Sequence, residues 1–244
     1  MATSIIDINT IFGAYPSEHA DSTAETLIKE MSAHEVEKSF ALSTWGIFYN
    51  EALGNEHTLR AQQHFSGKIA AVATISPHSF FSDTTVDLLV DQPFAIFRFF
   101  PDLQEWPIDY APFAQILKVL GEHRRPIMVT TAKPGQATVL ARVAAQYPGP
   151  IILEGVGSSN MAEALCVLQE HENFFVETHN FKLPGALETF RNRVGIERIV
   201  FGSGGPALSL GSALAYVNSS ALTDDEKSAV LTQNARQFLL GGGS

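Results

Sequence analysis

Cysteine is nearly absent from this chain, and positive charge is scarce. The single cysteine, Cys166, rules out a disulfide framework within one copy. It sits in "NMAEALCVLQEH", where apolar residues recur at helical spacing, so the expectation is a small buried hydrophobe and not a nucleophile. Lys and Arg total 16 against 26 Asp and Glu, a formal net charge of −10. Phosphate binding needs clustered basic residues, which argues against nucleic acid as a partner. No apolar run approaches the roughly 18 residues of a membrane-spanning helix, and no basic-then-apolar leader opens the chain. The expected setting is cytoplasmic, with no membrane partner. A small-molecule ligand is the expected partner, and the composition is compatible with a homo-oligomer.

What the chain does have is an ordinary globular balance, with 45% apolar and 17% charged residues. Its 244 residues suit a single α/β barrel of about 250 residues. A chain of that size buries roughly three quarters of its unfolded surface and needs no structural metal to fold. Short β-rich runs recur along it: "SIIDI" from Ser4, "SFALS" from Ser39, "IAAVATI" from Ile69 and "FAIFRFF" from Phe94. They continue with "PIMVTT" from Pro126, "IILEG" from Ile151, "FFVET" from Phe174 and "RIVFGS" from Arg198. Each is nearly continuous in apolar residues, the pattern of parallel strands covered on both faces.

Helical segments lie between these runs. "STAETLIKEM" offers Ser22 and Glu25 as a start signal, and "NEHTLRAQQHF" starts at Asn55. "DYAPFAQILKVLGEH" has Asp109 near its start, and "TDDEKSAVLTQNARQFLL" carries a capping box in Thr223 and Glu226. Eight such units without a linker predict a single-domain (β/α)8 TIM barrel over residues 1–240, with a flexible "GGGS" tail at 241–244. A doubly wound sheet is the competing arrangement. Its support is "EGVGSSN", where Gly155 and Gly157 follow a strand, but Asn160 stands at the third glycine position.

In a barrel, functional residues lie where strands end and βα loops begin. That rule sorts the histidines. His57 and His64 fall inside a helix, on a solvated face. His34, His123 and His171 fall in last helical turns, where positive charge suits the helix dipole. His19, His78 and His179 lie in loops that follow strands.

Several stretches, taken together, resemble the amidohydrolase-related ("amidohydrolase 2") family of metal-dependent hydrolases. They are the opening "IIDINTIFG", "MSAHEVEKSFALS", "AAVATISP", "FRFFPD", "PIMVTT" and "AAQYPGPIILEGVG". The most specific are "LPGALETFRNRVGIERIVFGSGGP" and the closing "LTDDEKSAVLTQNARQFL". The resemblance implies a barrel whose mouth holds a divalent metal on histidines and an aspartate. It also implies that those ligands are missing here. The two first-strand histidines correspond to Asn9 and Ile11, and the fifth- and sixth-strand histidines to Thr130 and Gly155. The eighth-strand aspartate corresponds to Gly204, and a histidine after the fourth strand to Phe100. A zinc-like ion needs about four N, O or S donors, so the expectation is no metal and no cofactor.

Strand alternation puts Asp7 on the face of Asn9 and Ile11, and Arg98 on the face of Phe100. An inward Asp7–Arg98 pair would compensate both charges, and a purely structural role for the two is the alternative. "FFVETHNFK" gathers Glu177, Thr178, His179 and Asn180, with Glu177 and His179 as a candidate acid/base pair and Lys182 nearby for an anion. Glu154 is expected to face the helices, because Gly155 takes the inward position.

Three functions follow. The first is a metal-independent hydrolase or lyase acting on a small polar or carboxylated molecule, with His179, Glu177 and Asp7 catalytic. Asn9, Trp45, His78, Arg98, Thr130 and Ser203 would bind its substrate, and Tyr49 would add to the aromatic lining. The second is a non-catalytic ligand- or partner-binding barrel, with Ile11 and Phe100 filling the old site. The third is phosphate binding by backbone donors of Gly202, Ser203, Gly204 and Gly205.

Overall fold

All eight β-rich runs become strands in the computed structural model, which describes residues 4–16 and 20–240. His19 and the "GGGS" tail lie outside the described residues. The strands are β1 (Ile5–Tyr15), β2 (Val36–Ser43), β3 (Ile69–Ala73), β4 (Ile96–Phe99), β5 (Ile127–Thr130), β6 (Ile151–Glu154), β7 (Phe174–Glu177) and β8 (Ile199–Val200). Each pairs in parallel with the next. The last closes on the first: Ile8 N–H donates to the Phe201 carbonyl at 3.0 Å, Gly204 N–H to that of Asn9 at 3.0 Å, and Ile11 N–H to that of Gly205 at 2.9 Å. That closure makes a TIM barrel and removes the doubly wound sheet. The Gly155–Gly157 turn is an ordinary βα loop. A short strand, Ala20–Ser22, pairs antiparallel with the far end of β1; nothing in the alternation announces it.

Alternation along each strand divides the apolar residues into two clusters. Ile8, Phe40, Val72, Met128, Ile152 and Val200 fill the barrel interior. Their neighbours Ala41, Ala71, Phe97, Val129, Leu153 and Phe201 face the surrounding helices. Burying both faces is what makes the runs continuously apolar. The helices are α1 (Ala24–Ala33), α2 (Thr44–Phe48), α3 (Glu51–His64), α4 (Asp83–Val90), α5 (Ala111–Glu122), α6 (Gln136–Val143), α7 (Met161–Glu170), α8 (Ala186–Val194) and α9 (Leu210–Asn218). The last segment runs through α10 (Asp224–Ser228), a π-turn at Ala229–Gln233, and α11 (Asn234–Leu240).

This closing segment explains its own motif. The Thr223 hydroxyl accepts from Glu226 N–H at 3.3 Å and Glu226 accepts from Thr223 N–H at 2.8 Å, the reciprocal capping box. Asn234 donates to the carbonyls of Ile196 and Ile199, both at 2.8 Å, tying the helix to the start of β8. Ala235 and Phe238 then enter the interior cluster, where Phe238 meets Phe175 edge-on at 5.4 Å.

Three local expectations are corrected. The cap of α1 is Thr23, whose hydroxyl accepts from Thr26 N–H, because Ser22 is taken by the short strand. Helix α3 begins at Glu51 with Asn50 as its cap; Asn55 is buried inside it and bonds both backbone groups of Thr74 at 2.9 Å. Cys166 is exposed, since α7 buries Ala164, Val167 and Leu168 on the opposite face.

Candidate active site

At the C-terminal ends of the strands, side chains from five of them meet in one buried polar cluster. Arg98 from β4 and Glu154 from β6 form a two-pronged ion pair. Arg98 Nε donates to Glu154 Oε2 at 3.0 Å, and its Nη2 donates to Oε1. Thr130 from β5 donates its hydroxyl to Glu154 Oε2 at 3.0 Å. Asn9 from β1 donates its amide to Glu154 Oε1 at 3.4 Å and lies 3.3 Å from His179 Nδ1. On β7, Glu177 is fully buried. It accepts from the backbone N–H of Gly155 at 3.0 Å and of His179 at 2.8 Å, and meets His179 Nδ1 at 2.5 Å.

His179 is the open member of the group, with 18% of its side chain exposed. The ring's hydrogen bonds to described residues run through Nδ1, which leaves Nε2 for a ligand. The eighth strand makes room for this arrangement. A Cβ at Gly202 would stand 2.5 Å from Glu177 Oε2 and 2.8 Å from the Asn9 Cβ, so any larger residue there would displace both.

The electrostatics follow from two buried carboxylates, Glu154 paired with the Arg98 guanidinium and Glu177 with the His179 ring. Burial alone would raise the Glu154 pKa, but the Arg98 charge and hydrogen bonds, with His179 and Thr130, hold it below the usual carboxylate value. Burial disfavours charge on His179. The adjacent Glu177 carboxylate, with help from Glu154, outweighs that and raises the imidazole above its ordinary value. With His179 protonated, two anions face two cations; with it neutral, the cluster carries an excess negative charge.

Asp7 is elsewhere. The β1–β2 register slips between Asp7 and Thr10, so Ile8 and Asn9, neighbours in sequence, both reach the interior. This bulge reverses the phase. Asp7 points to the helix side, where its Oδ1 accepts from the N–H groups of Asn9 and Ser203, each at 3.0 Å. The expected Asp7–Arg98 pair is therefore replaced by Glu154–Arg98, and Glu154 faces inward, not toward the helices. Alternation from the interior residue Ile152 predicts that orientation for Glu154. Taking Gly155 as the inward position hid it, because Gly155 has already left the strand at φ +83°.

Ser203 lies beside Asp7, on the far side of β8 from the mouth. Trp45 is exposed, meeting Tyr49 at a tilt and His57 edge-on. His78 bonds the Gln104 carbonyl at 2.9 Å. None of these three joins the cluster. Phe100 is buried beneath the Arg98 guanidinium, 4.8 Å from it, and Ile11 packs against the interior cluster. The backbone donors expected to bind phosphate at the last loop have partners within the protein. Gly202 N–H bonds the Thr178 hydroxyl, Ser203 N–H bonds Asp7, Gly204 N–H bonds Asn9, and Gly205 N–H bonds the Ser203 hydroxyl.

The family resemblance implies a divalent ion at the mouth. Among the described residues no group of three or more His, Cys, Asp or Glu side chains is placed to hold one. The carboxylate best placed for it, Glu154, has both oxygens engaged by Arg98.

The barrel, with its closing helix and the loop ahead of it, defines a class, the single-domain (β/α)8 TIM barrels. The amidohydrolase family profile matches residues 23–240, and the chain belongs to that family. Among solved structures it is similar to 5-carboxyvanillate decarboxylase from Sphingomonas paucimobilis, at 12% identity and TM-score 0.75, covering 98% of this chain and 99% of that one. It is also similar to 2,6-dihydroxybenzoate decarboxylase from Rhizobium, at 15% identity and TM-score 0.76, covering 99% and 100%. A third is 4-oxalomesaconate hydratase from Rhodopseudomonas palustris, at 16% and 0.71, covering 97% and 96%. At these identities the likeness concerns the fold. Comparison with curated proteins gives no match. No helix among the described residues is long and apolar enough to cross a membrane.

Proposed function

We propose that this protein is a metal-independent acid–base enzyme on the amidohydrolase barrel, a hydrolase or lyase acting on a small polar or carboxylated molecule. The observation that carries the reading is the Glu177–His179 pair. A buried carboxylate orients Nδ1 and favours the imidazolium, leaving Nε2 to give or take a proton at the mouth. Asn9, Thr130 and the Arg98–Glu154 pair hold the surrounding polar wall, so Arg98 acts through Glu154 and not as a free anion clamp. The substrates named for the similar decarboxylases are carboxylated, which favours that class of substrate here.

The test is turnover of a panel of small aromatic and unsaturated carboxylates, read by ultraviolet absorbance in the presence of a strong chelator. The reading expects activity that survives chelation and falls by about 10²- to 10⁴-fold in His179→Ala. Activity that needs added metal, or persists in His179→Ala, would overturn it.

A binding-only barrel is the second reading, favoured by the burial of Phe100 beneath Arg98. It expects ligand binding with no turnover in the same panel.

A further inference from the structure

We propose that the cavity on the helix side of Asp7 binds a small organic ammonium ion. It lies between β1, β2, α1 and the loop after β8, and encloses about 260 Å³. Roughly nine waters would fill that volume at about 30 Å³ each, and a short alkylammonium fits the same space.

Its floor is polar and unbalanced. Asp7 is buried, and its hydrogen-bond donors, the N–H groups of Asn9 and Ser203 and the Ser203 side chain, are all neutral. Among the described residues, none of the ion pairs involves it. Ser39, its cross-strand partner on β2, is fully buried, and its hydroxyl has no hydrogen-bond partner. Native structures rarely leave such a hydroxyl unpaired. A carboxylate and an idle hydroxyl side by side are the acceptors that an ammonium group, with its three donors, would satisfy.

The walls are apolar, from Leu27 and Met31 on α1 and from Leu208 and Leu210 beyond the last loop. They suit an alkyl tail better than a hydrated metal ion. Exposed Glu30 stands at the rim and adds negative charge to the entrance. The cavity is separated from the mouth by β1 and β8, so this site does not rest on the function proposed there.

The test is isothermal titration of the whole chain with n-butylammonium chloride at pH 8, with n-butanol and sodium chloride as parallel ligands. Saturable one-to-one binding of butylammonium is expected. Asp7→Asn should weaken it by about tenfold or more, and Ser39→Ala, which leaves the carboxylate in place, by several-fold. Absence of binding overturns the proposal, as does equal affinity for butanol (an apolar slot) or for sodium (an inorganic-cation site). Should Asp7→Asn not fold, Ser39→Ala decides: unchanged affinity overturns the proposal.

Discussion

Asp7 gives the sharpest quantitative prediction, because its carboxylate is buried against neutral donors. Burial, opposed by the Ser203 and Asn9 hydrogen bonds and aided slightly by Glu177, raises its pKa from 3.8 to about 6. The sign is the reverse of the usual acidic residue. The folded state holds this proton more tightly than the unfolded state, so the stability that Asp7 contributes is complete below about pH 4 and is lost as the pH rises through about 6. At about 1.4 kcal/mol per pH unit, the full decline is about 3 kcal/mol. Asn in place of Asp7 keeps the acceptor oxygen for both backbone N–H groups and never ionises. Asp7→Asn should therefore match the wild type near pH 4 and exceed it by about 2 to 3 kcal/mol at pH 7.5. Urea unfolding of both proteins at a series of pH values measures this, and the difference between them cancels the other titrating groups. A variant less stable than wild type at pH 7.5 would refute the reasoning, since it would mean the Asp7 charge is compensated in the folded state.

The other predictions concern the mouth and the closing helix. His179, with its pKa raised by Glu177, should titrate by NMR above the ordinary imidazole value of 6.5, and Glu177→Gln should bring it down. The stability from that pair should be complete below pH 6.5 and disappear as the pH rises through the folded value. Glu154→Gln leaves the buried Arg98 uncompensated and should cost about 3 to 5 kcal/mol in urea unfolding; replacing the pair together by Leu and Met should recover most of that. Asn234→Ala should cost about 2 kcal/mol by freeing two carbonyls near β8, with the mouth's His179 signal unchanged.

Much of the barrel is legible in the sequence, because strands covered on both faces read as apolar runs and the Thr223–Glu226 box marks the last helix directly. The Glu177–His179 pair is legible for the same reason: β7 is regular, and alternation from Phe175 points both Phe175 and Glu177 inward. The site is misread where a strand is not regular. One extra residue in β1 moves Asp7 out of the mouth, and a period-two argument carries no information about such a slip. Anchoring the alternation on Gly155, beyond the strand end, hides Glu154. The place of Ser203 beside Asp7 is not legible either, because loop glycines look like free backbone donors until their hydrogen bonds are traced.

The central claim is that acid–base chemistry at this mouth runs on Glu177 and His179 without a divalent ion. Elemental analysis of protein purified without chelator or histidine tag tests it most directly. The account predicts less than about a tenth of an equivalent of zinc, manganese or iron. A stoichiometric ion would contradict it.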